Sequence, residues 1–148
     1  MEQITNLVNS YHALFDNERI EGSIDQIMEL FSPDCTMETE MFGSAQNATE
    51  VKELLQSTAA LGFLDEVRHV VQGHVVKFEE GSTTAATVSS YVTAFWKCTP
   101  VTLSQWTDTV KYDGSVWRFH SRTCVDLQKN LELIGEMQLR GKKSYNSD

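Results

Sequence analysis

Basic residues are scarce in this chain. Lys and Arg number 12 against 21 Asp and Glu, leaving a net charge of −9 over 148 residues. Phosphate backbones and anionic lipid surfaces are gripped by clustered positive charge, so neither nucleic acid nor a membrane surface is an expected partner. Cysteine is equally sparse: Cys35, Cys98 and Cys124 are odd in number and scattered, with no CxxC spacing. That excludes a disulfide framework or a cysteine zinc site and suits thiols in a reducing cytoplasm, the expected location. The four histidines include no helical i, i+4 pair and no acidic cluster suggests calcium, so no metal is expected, nor any cofactor. No apolar run approaches the roughly 18 residues that would suggest a membrane-spanning helix. The opening Met1–Thr5 lacks the basic start and apolar stretch of a signal peptide.

What is present is patterned. Ile4, Leu7, Val8, Tyr11, Leu14 and Phe15 recur at helical spacing and predict an amphipathic helix over residues 3–17. Ser23 is the expected N-cap of a second helix over 24–31, stopped by Pro33-Asp34, and Cys35 to Met41 alternates as a short strand. Asn47 or Thr49 starts a third helix that ends near Gly62. Four long strands follow without interruption, over 66–78, 84–97, 101–112 and 116–127. They are punctuated by Glu79-Glu80-Gly81-Ser82, Cys98-Thr99-Pro100 and Asp113-Gly114. Residues 131–134 hint at a short helix, and Arg140 to Asp148 reads as a solvated tail. The expectation is a single domain over 1–128 with a tail over 129–148. Its class is α+β, with three N-terminal helices packed on a strongly bent antiparallel sheet that encloses a pocket.

These elements carry further marks: a tyrosine and an aspartate late in the first helix, Leu30-Phe31-Ser32-Pro33-Asp34 after the second, and His69 early in the first long strand. The pattern Trp106-x-Asp108, Asp113-Gly114, Trp117-Arg118-Phe119 and Arg122 closes the sheet. In this order over residues 3–127 they resemble the NTF2-like superfamily and, within it, the SnoaL-like group. The resemblance implies a cone-shaped α+β barrel with a pocket at its wide end. Relatives of that kind include scytalone dehydratase, steroid isomerases, polyketide cyclases, bile-acid dehydratases and epoxide hydrolases, besides binding and assembly modules. Fold alone therefore does not fix the activity.

In the dehydratase-like members, a tyrosine and an aspartate from the first helix join a histidine from the first long strand. Here these are Tyr11, Asp16 and His69. A carboxylate fixes a histidine's tautomer and raises its basicity, so Asp16 and His69 suit proton abstraction α to a carbonyl, with Tyr11 holding the oxyanion. The resemblance also calls for a second histidine or an acid near Val92-Thr93-Ala94, and neither is there. Tyr91, Phe95 and Trp106 are candidate pocket walls, Asp108 a candidate contact or an ion-pair partner of Arg122, and Arg122 a candidate for a substrate carboxylate at the rim. On the last strand, alternation sets Arg118, His120, Arg122 and Cys124 opposite Trp117, Phe119 and Ser121, the apolar set being the better core candidate. His74, on the face opposite His69, His12, off the helix's apolar stripe, and His120 read as surface residues.

The expected function is a cofactor-independent lyase or isomerase, dehydratase-like, acting by Asp–His acid/base chemistry on a hydrophobic cyclic or polyketide-like molecule. Two rivals remain open. One is an apolar-ligand-binding module of the same fold; the other is a β-subunit-like partner of a ring-hydroxylating oxygenase. Apolar residues on the convex sheet face point to a homodimer through the sheet.

Overall fold

The structure, a computed structural model, describes residues 1–16 and 20–145, with side chains described to residue 140. The first helix, α1 (Glu2–Phe15), buries Ile4, Leu7, Val8, Tyr11, His12 and Phe15. A 3-10 turn (Ile20–Ser23) leads into a short α2 (Ile24–Met28). The chain then extends as β1 (Phe31–Thr39) and β2 (Gly43–Ala45). Helix α3 (Ala48–Ala59) follows, and a second 3-10 turn (Phe63–Glu66) precedes β3 (Val67–Phe78), β4 (Ala85–Trp96), β5 (Thr99–Tyr112) and β6 (Trp117–Lys129). Helix α4 (Leu131–Tyr145) ends the described chain. The expected extension of α1 to residue 17 and the last residues of the expected tail lie outside the described residues.

All six strands form one sheet in the order β2-β1-β6-β5-β4-β3. The four long strands are an antiparallel meander, as the sequence predicts, while β1 joins β6 in parallel. The sheet does not close, so the cone is open along one side and its concave face is covered by helices. The class is α+β, helices on a bent sheet.

Two boundaries move. The second helix stops at Met28 rather than 31, because Phe31 is taken into β1 opposite Phe119. A register irregularity between Phe31 and Thr36 absorbs Pro33, which cannot donate a ladder hydrogen bond. The expected tail is instead mostly helix. Asn130 caps α4 by accepting the Leu133 N–H at 3.1 Å, and Met137 is driven into the core at 3% exposure. Asn47 caps α3 by accepting the Glu50 N–H at 2.9 Å, and Glu50 reciprocates by accepting the Gln46 N–H.

Bulges bend the sheet and decide which side chains face inward. On β3, Gln72 pairs with Tyr91 but Val75 pairs with Ser89, so Gly73 and His74 together oppose one residue of β4. Gly73 takes a left-handed φ of 66°, which makes the bulge cheap. On β6, Val110 pairs with Phe119 and Thr109 with Ser121, which leaves His120 as an extra residue. Each extra residue reverses the inside–outside alternation beyond it. As a result Phe119 and Arg122, three apart, are both fully buried. The expectation that one face of β6 carries the core and the other the polar residues therefore fails at His120.

Candidate functional site

Helix α1 ends over the concave side of β3. Its C-cap is Asp16, whose N–H is taken by the His12 carbonyl at 2.9 Å. An aspartate at a helix C-terminus faces the negative end of the dipole and gains from a partner beyond it. That partner is His69. Asp16 Oδ1 lies 2.5 Å from His69 Nδ1, and Asp16 Oδ2 accepts the backbone N–H of His69 at 2.5 Å. One carboxylate thus fixes both the ring and the strand that carries it. Both side chains are 15% exposed. With Nδ1 tied to the carboxylate as the proton-bearing nitrogen, Nε2 remains for other partners. The Phe15 ring packs edge-on to the imidazole at 5.4 Å.

His69 borders two connected chambers. The outer one, about 680 Å³, is lined by Leu61, Phe63, Leu64, Val67, Val101 and, from α4, Ile134, Met137 and Gln138. The inner one, about 90 Å³, reaches Tyr11, His12, Trp106, Ser104, Cys124 and Asp126. Met41, Phe42, Leu64, His69 and Thr102 border both, making one largely apolar cleft with a few polar groups at its inner end.

Tyr11 lines the inner chamber with its ring 3% exposed. Burial pushes its hydroxyl up to about 12, so it stays protonated at neutral pH. His12, one residue on, is a correction to the sequence reading. It is 4% exposed, lines the same chamber, and its ring centre lies 5.9 Å from that of His69. Burial first, then the Arg122 guanidinium, hold it well below the ordinary histidine range and therefore neutral. The spacing Val8, His12, Phe15 is itself i, i+4, i+7, a signal that was available on the apolar stripe.

Arg122 is also a correction, since it does not reach the rim. It is completely buried beneath the inner chamber, donating through Nε to Asp108 Oδ1 at 2.7 Å and through Nη2 to Asp108 Oδ2 at 3.1 Å. Asp108 and Arg122 are direct partners across β5 and β6, so the ion pair follows from register. The guanidinium lies 4.2–4.3 Å from the ring centres of Tyr11, Trp106 and Phe119. Burial pushes the Asp108 carboxyl up while Arg122 pulls against it. Neither Asp108 nor Arg122 lines the cleft; Trp106 does.

Tyr91 and Phe95 are placed on the other side of the sheet. Ser90, Val92, Ala94 and Trp96 are the inward residues of β4, which turns Tyr91 and Phe95 to the convex face, Tyr91 at 46% exposure. Tyr91 instead lies across Gly73, 3.4 Å from where a Cβ would stand. His74 moves the opposite way: the Gly73 bulge brings it to the inward side, half-buried, and burial lowers its pKa. His120, by contrast, stays at the surface side, 3.6 Å from Asp34.

Asp126 was missed. From Arg122 through Cys124 to Asp126 alternation holds, so once Arg122 is known to face inward Asp126 follows. The three cysteines are unpaired, and burial with Asp126 nearby pushes the Cys124 thiol up to about 12, leaving it a neutral wall group. Among the described residues no three His, Cys, Asp or Glu side chains gather as a metal site. No helix among them is long and apolar enough to cross a membrane.

An open bent sheet with helices on its concave side, a cleft at the end of α1 and an Asp–His pair at its wall describe an α+β fold of the cone type. The sequence matches the model of the SnoaL-like domain over residues 1–123, and the chain belongs to that family. The fold is shared with a cystatin-like-fold protein of unknown function from Nostoc punctiforme (18% identity, 87% of this chain and 92% of that one, TM-score 0.73). It is shared also with a scytalone dehydratase-like protein from Novosphingobium aromaticivorans (20% identity, 86% and 84%, TM-score 0.68). A third is the hexachlorocyclohexane dehydrochlorinase LinA-type3 from Novosphingobium barchaimii (12% identity, 87% and 87%, TM-score 0.70). No curated protein matches the sequence at a significant level.

Proposed function

We propose that the protein is a cofactor-independent lyase or isomerase in which Asp16 and His69 carry the proton transfer on a hydrophobic cyclic or polyketide-like substrate. The observation that carries this reading is the two-point hold of Asp16 on His69, a residue that borders both chambers and whose Nε2 that hold does not use. Nε2 takes a proton from the carbon next to a carbonyl; the C–H electron pair becomes the new C=C of an enolate. Asp16 stabilises the imidazolium so formed. Tyr11, held protonated, donates to the oxyanion. The enolate then expels a group from the β carbon, its C–O pair leaving with the group, and the imidazolium returns the proton to it. Dehydration and dehydrochlorination, the activities named for two proteins of the same fold, are both eliminations, which supports the class.

The test is deuterium incorporation at the α carbon of cyclic ketones in D2O, followed by NMR, together with release of water from their β-hydroxy derivatives. His69→Ala and Asp16→Asn should abolish both. Exchange that persists in both variants sinks the reading.

The rival of a binding module draws on the apolar lining of the outer chamber. It expects both variants to keep full ligand affinity with no exchange in the parent protein. The oxygenase-subunit reading expects co-purification with an iron-containing partner. On the convex face Tyr91, Gln105 and Val125 lie in one row, with Val70, Val75 and Leu127 also exposed. A second copy is the proposed cover, giving a sheet-to-sheet homodimer. Light scattering showing a monomer at micromolar concentration removes it. Three free thiols fit the proposed cytoplasmic location.

A further inference from the structure

Among the polar groups of the inner chamber that the proposed chemistry does not use, Asp126 is the carboxylate. It lines the chamber together with His69, Tyr11 and Trp106. Its carboxylate is held on one side only: Ser104 Oγ donates to Oδ1 at 2.7 Å, and the Cys124 thiol reaches the same oxygen at 4.0 Å. Its backbone is fixed as well, the Asp126 N–H donating to the Glu40 carboxylate at 3.0 Å. The second oxygen, Oδ2, is buried and has no hydrogen-bond partner. A buried carboxylate oxygen left unpaired is costly, and a group so firmly positioned with one empty acceptor is built to receive a donor.

We infer that Asp126 is the specificity-determining residue of this cleft, accepting a hydrogen bond from a hydroxyl on the substrate while Ser104 holds it in place. The inference rests on the proposed reading of the cleft as a substrate site and names the substrate class: an apolar ring system carrying a free hydroxyl besides the reacting centre. A hydrocarbon bearing only halogens would seal Oδ2 away from water with no partner, so the site selects against it. An ammonium group is the poorer donor here, because the remaining lining is mostly apolar and the charge would lose its hydration. Sites built to hydrogen-bond a substrate hydroxyl discriminate far more sharply than sites that sense a methylene.

The experiment uses 2-naphthol and 2-methoxynaphthalene as probes, with binding read by quenching of tryptophan fluorescence. The ether is the more apolar of the two, so burial alone would favour it. The wild-type protein should bind 2-naphthol more tightly by about tenfold or more, in keeping with a hydrogen bond to a charged group. Asp126→Ala should remove the preference and leave the ether's affinity unchanged or higher. Asp126→Asn, which keeps the volume, should weaken the preference at least about fivefold, and Ser104→Ala should reduce it by a smaller factor. His69→Ala should keep it. A wild-type protein with no preference, or one that fails to bind 2-naphthol up to its solubility, overturns the inference. So does a preference that survives in Asp126→Asn, which remains informative if the alanine variant does not fold. Neither probe undergoes the elimination, so loss of the lyase reading leaves this result standing, and the reverse holds.

Discussion

Two of the molecule's carboxylate–base pairs lie on either side of His12, and they differ in burial, base and surroundings. Asp16–His69 sits at the cleft wall, each side chain 15% exposed, with one ring nitrogen left for a substrate. Asp108–Arg122 sits beneath it at 0% exposure, the guanidinium flanked by three aromatic rings. A guanidinium stays protonated throughout the working range whereas an imidazole can give up and regain a proton, so the pair at the cleft wall is the one suited to the proposed proton transfer. The difference is one of setting: full burial and a fixed charge hold β5 to β6, while partial exposure at the cleft wall leaves the other pair open to the proposed chemistry.

The sharpest way to break that comparison is to remove one half of the buried pair. Arg122→Ala or Asp108→Ala leaves an uncompensated charge in the core and should cost about 3–5 kcal/mol, read by urea denaturation. The double replacement Asp108→Leu with Arg122→Met should recover much of this, since an apolar pair of similar volume avoids the desolvation cost. Recovery that fails would mean the pair does more than hold the strands.

Breaking the exposed pair should do the reverse. His69→Ala should lower the rate of proton exchange by about 10²–10⁴-fold, whereas its unfolding free energy should fall by about 1–3 kcal/mol, less than for Arg122→Ala. A large loss of stability with little change in exchange would exchange the roles assigned to the two pairs.

The neutral His12 between them gives a pH test. Its pKa is lowered in the folded protein, so below the ordinary value of 6.5 the unfolded chain binds a proton that the native state does not. On this residue's account stability should be flat between about pH 7 and 8 and fall as the pH drops through 6.5, by up to about 1.4 kcal/mol per pH unit. His74 is lowered too and adds in the same direction. Replacing His12 by Asn should flatten the acid side between pH 7 and 5.5; an unchanged slope would mean that His12 takes up its proton without unfolding.

The smallest effect is expected at the wide end of the cleft, where β4 turns into β5 at Lys97-Cys98. Both residues have positive φ, 51° and 63°, as the two-residue hairpin turn there requires, though neither is a glycine. Lys97→Asn with Cys98→Gly should stabilise the protein by about 1 kcal/mol, visible in the thermal midpoint, with exchange at His69 untouched.

Much of the fold was legible because its signals are local. Helical spacing in α1, a valine-rich run before Gly81 and the Asp113-Gly114 turn each act over a few residues, and the meander follows from strands joined by short turns. The pairing of Asp108 with Arg122 was open as an alternative and register made it real. The faces of β3 and β6 were not legible, because strict alternation is broken by single extra residues at Gly73–His74 and at His120. Those bulges turned His74 inward and buried Arg122 alongside Phe119. For β4, alternation is unbroken through Tyr91 and Phe95, and what periodicity leaves open is the face: Val92 and Ala94, not those aromatics, line the cleft.

The sequence by itself determined the element order, the α+β class and the residue types able to carry acid–base chemistry, because propensity, capping and turn chemistry act within a few positions of each residue. Only the tertiary structure decided that Asp16 reaches across 53 residues to hold His69 at two points, that Arg122 lies under the pocket, and that Asp126 stands at its wall with one buried oxygen unpaired. Those outcomes depend on where the bulges bend the sheet and on which face the helices cover. Both are settled by packing among residues far apart in the chain.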